Sequence, residues 1–199
     1  MRMICQYEHH LYEHHLHMKN TPAKPKVTAA KRPATPSTAA ILDALYNRPG
    51  FLIRRANQIA AAVHGEECGR WGLTQAQHGA LLVAHCCPGI DQTGIGQALG
   101  FDRATTGQVL RGLEARGLVG RAVSGTDGRK RSIVPTRDGE AVLRRAAPAL
   151  ERAQQKLLAP LSATERRQLA GLLSRLCEAF NAESRAPVVR PETDANARD

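Results

Sequence analysis

The segment Gln92–Gly117, QTGIGQALGFDRATTGQVLRGLEARG, constrains the fold more than any other stretch of the chain. Ile95, Ala98 and Leu99 recur on one face of a short helix, Gly100-Phe101 interrupts it, and Asp102 can cap a second helix with the inward stripe Thr106, Val109, Leu110 and Leu113. Two short helices across a tight glycine-containing turn describe a helix-turn-helix. With that stripe inward, Arg103, Thr105, Gln108 and Arg111 fall on the outer face. Such side chains can read base edges: Arg pairs with guanine, Gln with adenine, and Thr meets a polar edge or the thymine methyl. Thr106 joins them as a further polar candidate. An ordinary solvated helix would carry similar residues, so the neighbouring segment has to decide.

That neighbouring segment reads as a hairpin. Leu118–Ser124 and Ser132–Thr136 have the composition of strands, and Gly-Thr-Asp-Gly-Arg-Lys-Arg between them suits a turn. From Asp102 to Arg137 the chain holds eight basic residues (Arg103, Arg111, Arg116, Arg121, Arg129, Lys130, Arg131, Arg137) against Asp102, Glu114 and Asp127, half of the whole chain's formal charge of +10. A cationic hairpin tip directly after a helix-turn-helix is what a wing needs to reach phosphates or a narrow minor groove. Arg129, Lys130 and Arg131 are therefore candidate DNA contacts.

Helical signals fill the rest of Ile41–Asn181. Ile41, Leu45, Leu52, Ile59 and Val63 recur near a helical period that Pro49-Gly50 interrupts and restarts. Thr74-x-x-Gln77 and Ser162-x-x-Glu165 have capping-box spacing; the first opens a helix to about Cys87, the second the most amphipathic helix, with Leu169, Leu172, Leu173, Leu176 and Phe180 on one face. The expected fold is mainly α, a winged helix-turn-helix with N- and C-terminal helices forming a dimerisation region. The expected organisation is a disordered basic leader over 1–40, a regulator domain over 41–182 and a disordered tail over 183–199. Within the domain the DNA-binding part covers about 73–136 and the dimerisation helices about 41–70 and 137–181. The apolar faces of those helices lie far along the chain from the wing and need each other or a second subunit.

Leu99-Gly100-Phe101-Asp102-Arg103, Leu113-Glu114-Ala115-Arg116-Gly117-Leu118-Val119, Asp127-Gly128-Arg129-Lys130-Arg131 and Pro135-Thr136-Arg137-Asp138-Gly139 together resemble the MarR family of bacterial transcriptional regulators, over about Tyr46 to Phe180. The most specific part is the wing Asp-x-Arg followed by a Thr-x-x-Gly helix start, at Asp127, Arg129, Thr136 and Gly139. The resemblance implies that Arg129 enters the minor groove with Asp127 orienting it. It also implies a homodimer with interlocked terminal helices, which would bind a pseudo-palindromic operator in double-stranded DNA. Gly107 and Gly112 depart from the pattern, each costing about 1 kcal/mol of helix stability relative to Ala, and the expectation is that they serve close backbone approach to DNA.

Arg48–Arg55 is similar to the first helix of the branch that responds to aromatic-acid catabolites. A small aromatic acid in a cleft between dimer helices and wing is implied, and a guanidinium suits its carboxylate. Candidate ligand residues are Arg54 or Arg55, with Gln58, His64, Trp71 and His78 around them; the plain alternative is surface arginines and satisfied helix histidines. The expected function is a sequence-specific DNA-binding regulator, a dimeric repressor released by an aromatic carboxylate. The alternatives are a cysteine-based redox sensor at His85-Cys86-Cys87 and a winged-helix protein-interaction module. Cys86 and Cys87, at the end of an apolar helix, are expected to be buried and inert.

The remaining features exclude more than they add. The histidine-rich leader EHHLYEHHLH lacks the scaffold a metal site needs and is read as polar leader, with Met18 as an alternative start; no metal and no cofactor is expected. There is no Gly-rich phosphate loop, GxSxG or HExxH, so no enzyme is expected. Five cysteines and no run of eighteen apolar residues fit a cytoplasmic protein without a membrane partner.

Overall fold

A computed structural model describes residues 37–123 and 131–191. The chain divides into two units, Met1–Leu42 and Asp43–Asp199. Helix α1 (Thr38–Tyr46) begins inside the segment expected to be disordered leader. The second unit carries α2 (Pro49–Cys68), a 3-10 turn at Gly69–Trp71, α3 (Gln75–Cys86), α4 (Gln92–Leu99), α5 (Arg103–Ala115), β1 (Val119–Val123), β2 (Arg131–Pro135), α6 (Arg137–Leu158) and α7 (Ala163–Ala179). This is the mainly helical winged fold that the sequence predicts.

Local chemistry explains the boundaries. Pro49 opens α2 because the first helical turn needs neither its missing N–H nor any other φ than the one its ring imposes. Both capping boxes form, Thr74 with Gln77 on α3 and Ser162 with Glu165 on α7. Gly100 ends α4 at φ +65°, a conformation costly for residues with a Cβ. Asp102 then starts α5 by accepting the Thr105 N–H at 2.7 Å. Those bonds, led by the Thr105 backbone, hold its carboxyl below the usual carboxylate range.

β1 and β2 pair antiparallel with Arg121 opposite Ile133, and the preceding segment joins their edge through an Ile133 N–H to Ile90 carbonyl bond of 2.8 Å. Leu81, Ile95, Leu110, Leu113 and Ile133 are fully buried where α3, α4, α5 and this small sheet meet. Thr136 links the hairpin to α6: its hydroxyl donates to the Gly117 carbonyl at 2.6 Å and accepts the Gly139 N–H at 3.1 Å. A Cβ on Gly139 would collide with the Leu118 carbonyl oxygen, so the Thr-x-x-Gly spacing is a packing requirement.

α6 lies against α2 through the small residues Ala146, Ala149 and Ala153. Lys156 reaches Glu66 at 2.7 Å and Arg152 reaches Glu67 at 3.3 Å along the rim of that contact. α7 has no buried residue, and Leu172 and Phe180 are each 58% exposed. Beyond it, residues 184–191, expected as part of a disordered tail, form an ordered strap: the Val189 N–H donates to the Gln97 carbonyl of α4 at 2.9 Å. Hydrogen bonds between the strap's main chain and both the Gln97 carbonyl and the Asn181 side chain hold it, so it leaves no hydrophobic periodicity in the sequence.

Candidate nucleic-acid interface

The outer face of α5 is free. Arg103, Thr105, Gln108 and Arg111 are all exposed, while Thr106, Val109, Leu110 and Leu113 are buried. Thr106 is a correction to the candidate set: it is 2% exposed and its hydroxyl donates to the Asp102 carbonyl at 2.8 Å, so it belongs to the core and cannot meet a base. The space for it comes from Gly96 on α4, where a Cβ would stand 2.7 Å from the Thr106 hydroxyl. That close crossing holds the two helices of the motif at a fixed angle.

The glycines of α5 serve protein packing. A Cβ on Gly112 would approach the Gln77 amide nitrogen to 2.5 Å, and one on Gly107 the Arg111 guanidinium to 3.2 Å. Gly112 therefore lets α3 approach α5, which corrects the expectation of backbone approach to DNA there.

The cationic window divides into structural and free charges. Arg116 donates to the carbonyls of Trp71 and Gly72, at 2.6 Å for the latter, tying the 3-10 turn to the end of α5. Arg121 pairs with Glu114 at 2.6 Å. Neither is free to approach phosphate without breaking these contacts. Arg131, on the first residue of β2, is exposed beside the wing. Asp127, Arg129 and Lys130 lie outside the described residues, as do the leader histidines.

The small-molecule candidates fall into two groups. His64 and His78 come together with ring centroids 6.3 Å apart at an interplanar angle of 67°. The His64 Nε2–H donates to the Leu73 carbonyl at 3.2 Å, a partner that defines its tautomer. His78 is 6% exposed, and its Nε2 has no partner. Burial, then the neighbouring His64, pushes the His78 pKa down and keeps the ring neutral. A cavity of about 450 Å³ opens on the His64 side, lined by Ala61, His64, Gly65, Leu73 and Ala76 among others; His78 is not among its lining residues.

Arg54, Arg55 and Gln58 are exposed further along α2 and are not among its lining residues. Arg54, Gln58, Ala61 and Gly65 share one face of that helix, spaced by four, three and four residues. Arg54 stands about 10 Å along the axis from Ala61, within reach of a long side chain, whereas Arg55 is turned about 100° away. The Arg54 guanidinium covers the Phe51 ring at 5.1 Å, and Arg70 covers Trp71 at 3.9 Å, so Trp71 is joined to an arginine rather than to the histidines.

Cys86 is exposed and Cys87 half-buried, which corrects the expectation that both are buried. α3 ends at Cys86, so the pair leaves the core with the chain. Burial, then Cys86, raises the Cys87 pKa, which disfavours the reactive thiolate. Among the described residues no three His, Cys, Asp or Glu side chains converge as a metal site would require, and no helix is long and apolar enough to cross a membrane.

A buried helix-turn-helix core, an outward polar face on its second helix and a two-stranded hairpin behind it define a winged helix-turn-helix protein. Residues 71–130 match the sequence model of the MarR family. The chain is 34% identical over 155 residues to the transcriptional regulatory protein assigned to the hcr operon of Thauera aromatica, covering 75% of this chain and 85% of that one. The chain belongs to the MarR family of transcriptional regulators, whose members are not enzymes.

Solved structures of regulators, BpsR and CouR among them, share its fold. BpsR of Bordetella bronchiseptica, whose DNA binding is described as regulated by 6-hydroxynicotinic acid, is 27% identical with a TM-score of 0.63, covering 67% of this chain and 95% of its own. The transcriptional repressor CouR, bound to a 23-mer DNA duplex, is 28% identical with a TM-score of 0.64, covering 72% of this chain and 99% of its own.

Proposed function

We propose that this regulator is a homodimeric repressor that binds a pseudo-palindromic operator and leaves it when a small aromatic carboxylate binds. The observation that carries the reading is the free outer face of α5, where Arg103, Thr105, Gln108 and Arg111 project from a helix whose other face is sealed into the core. Base edges in a major groove suit those four side chains, and Arg131 with the wing's Arg129 and Lys130 supplies backbone or minor-groove contacts. Asp127 orients the wing in this reading. The fold shared with DNA-bound CouR supports it.

A second copy of the chain is the partner that the exposed stripe of α7 needs. Leu169, Leu172, Leu173, Leu176 and Phe180 line one side of that helix without cover, and Leu52, Ile53 and Ile59 of α2 are exposed as well. Large apolar faces of this kind are covered in stable proteins, and two-fold pairing places two reading helices about one DNA turn apart.

The ligand reading rests on the cavity beside His64 and on the orphan Nε2 of His78. A buried polar atom without a partner is costly unless a ligand or water satisfies it. Arg54, on the same face of α2 as the cavity, is the carboxylate partner, with Gln58 between them; Trp71 and Arg55 take peripheral roles. BpsR's response to 6-hydroxynicotinic acid supports an aromatic carboxylate as the chemical class. A bound ligand that favours one arrangement of α2 and α6 shifts the dimer toward a half-site spacing that the operator does not match.

The test is a titration of the operator complex with benzoate, salicylate and 6-hydroxynicotinate, with benzamide as the uncharged control. Release by at least one acid and not by benzamide is expected, and Arg54→Gln should raise the half-release concentration about tenfold, the equivalent of one charge-assisted bond. Retention of DNA in all three acids contradicts the ligand class.

A further inference from the structure

The strap at the C-terminal end of the described chain is held by contacts too specific for a passive tail. Asn181, just beyond α7, brackets Val188 in both directions: its side-chain oxygen accepts the Val188 N–H at 2.8 Å and its amide donates to the Val188 carbonyl at 2.9 Å. The next residue, Val189, bonds the Gln97 carbonyl. Val188 and the Ala186 carbonyl come so close to Gly100 that a Cβ there would stand 3.0 Å and 3.4 Å from them. The glycine that makes the turn between α4 and the reading helix α5 is therefore also the seat of the strap. Pro187 stiffens the segment between these anchors.

This docking brings a cation to the DNA-reading face. A cleft of about 900 Å³ lies between α4, the start of α5 and the strap, with Gln92, Thr93, Gln97, Arg103 and Arg185 among its lining residues. Arg185 is exposed, and no carboxylate lies within ion-pair distance of it among the described residues. Asp102, the acid of the cleft, stays ionised: the Thr105 N–H holds its carboxylate at 2.7 Å and the nearby Arg185 charge also lowers its pKa, without reaching ion-pair distance. Two guanidinium groups and three neutral polar side chains outnumber the one carboxylate around the open cleft and suit a phosphodiester better than a cationic partner.

We infer that the strap, residues 185–189, is a third DNA-contacting element, which places Arg185 against a backbone phosphate beside the groove that receives α5. The inference rests on the DNA-reading role proposed for α5. The contact is to phosphate, so it adds affinity on any sequence and fixes register without reading bases. The strap comes directly after α7, so the helix given to pairing and the helix given to reading are joined by a short bonded connection.

Fluorescence anisotropy with the full chain tests this, using the upstream operator duplex and a random duplex over a range of salt. Arg185→Ala should weaken binding about fivefold at roughly 0.15 M salt on both duplexes and lower the slope of log K against log salt by about one, the loss of one phosphate contact. Asn181→Ala, which undocks the strap and keeps its charge, should reproduce much of that loss. Unchanged affinity and slope in Arg185→Ala overturn the inference, as does tighter binding, which would mean that the strap screens the groove. A full effect in Arg185→Ala with none in Asn181→Ala also overturns it, because the arginine would then act from a loose tail. In each of these cases an intact operator preference in the parent protein leaves the DNA-reading role standing; a parent protein without preference removes that role itself.

Discussion

In the winged-helix part of the molecule Leu81, Ile95, Leu110, Leu113 and Ile133 are sealed from solvent, whereas on α7 Leu169, Leu172, Leu173, Leu176 and Phe180 all face outward. The two regions hold comparable apolar side chains and dispose of them in opposite ways. The first closes on itself through tight crossings, Gly96 against Thr106 and Gly139 against the Leu118 carbonyl. The second presents a finished amphipathic helix, capped by Ser162 and Glu165, with no buried residue, its apolar side being left exposed among the described residues. The proposed reader is thus built as a closed unit, whereas the surface proposed for pairing keeps its apolar side exposed.

The sharpest way to break this contrast is in the closed region. Leu110→Ala should cost about 2–5 kcal/mol, since a fully buried leucine leaves a cavity that neighbours fill only in part; denaturant unfolding measures it, and a loss below about 1 kcal/mol would mean that the core is loosely packed. On the open side, the double variant Leu172→Glu and Leu176→Glu should convert a two-chain species to a single chain in sedimentation while the winged-helix core stays folded. A mass that remains that of two chains would place the pairing surface elsewhere.

Smaller effects sharpen the same comparison. Ser162→Ala removes both hydroxyl contacts of the α7 capping box and should cost about 1 kcal/mol, and in the proposed dimer this should read out as weaker dimerisation, because a helix with no buried residue of its own would be stabilised mainly by pairing.

The smallest effect concerns pH. Burial holds His78 below the ordinary histidine value near 6.5, so the unfolded chain takes up a proton first as pH falls. Stability that His78 permits above that value should decline below it until the folded-state pKa is passed. In His78→Leu the decline below about pH 6.5 should flatten; an identical slope would remove His78 as its source.

Local rules carried much of the fold. The helix-turn-helix follows from Gly100 and Asp102, the restart of α2 from Pro49, and the hairpin from turn residues between two strand-like runs, because each depends on backbone chemistry within a few residues. Long-range pairing was not legible in the same way. Nothing near Arg116 in sequence indicates that it serves the Gly72 and Trp71 carbonyls, 44 and 45 residues away. The same holds for Gly112 against Gln77 and for the strap on Gln97. Thr106 shows the limit most clearly: its place on the inward stripe was readable, yet its polar type admitted it to the reading set, and only the bond from its hydroxyl to Asp102 removes it. For the proposed ligand site, helical spacing separates Arg54 from Arg55, but the meeting of His64 and His78 depends on how α2 and α3 pack.

The central claim is that the outer face of α5 reads a particular DNA sequence. Its most direct test is equilibrium competition between the chain's own upstream region and random duplex at about 0.15 M salt, with the parent protein and Gln108→Ala side by side. A preference of roughly a thousandfold or more for the upstream DNA is expected, reduced in Gln108→Ala through loss of discrimination at one base position. Equal affinity of the parent protein for both duplexes would contradict the claim.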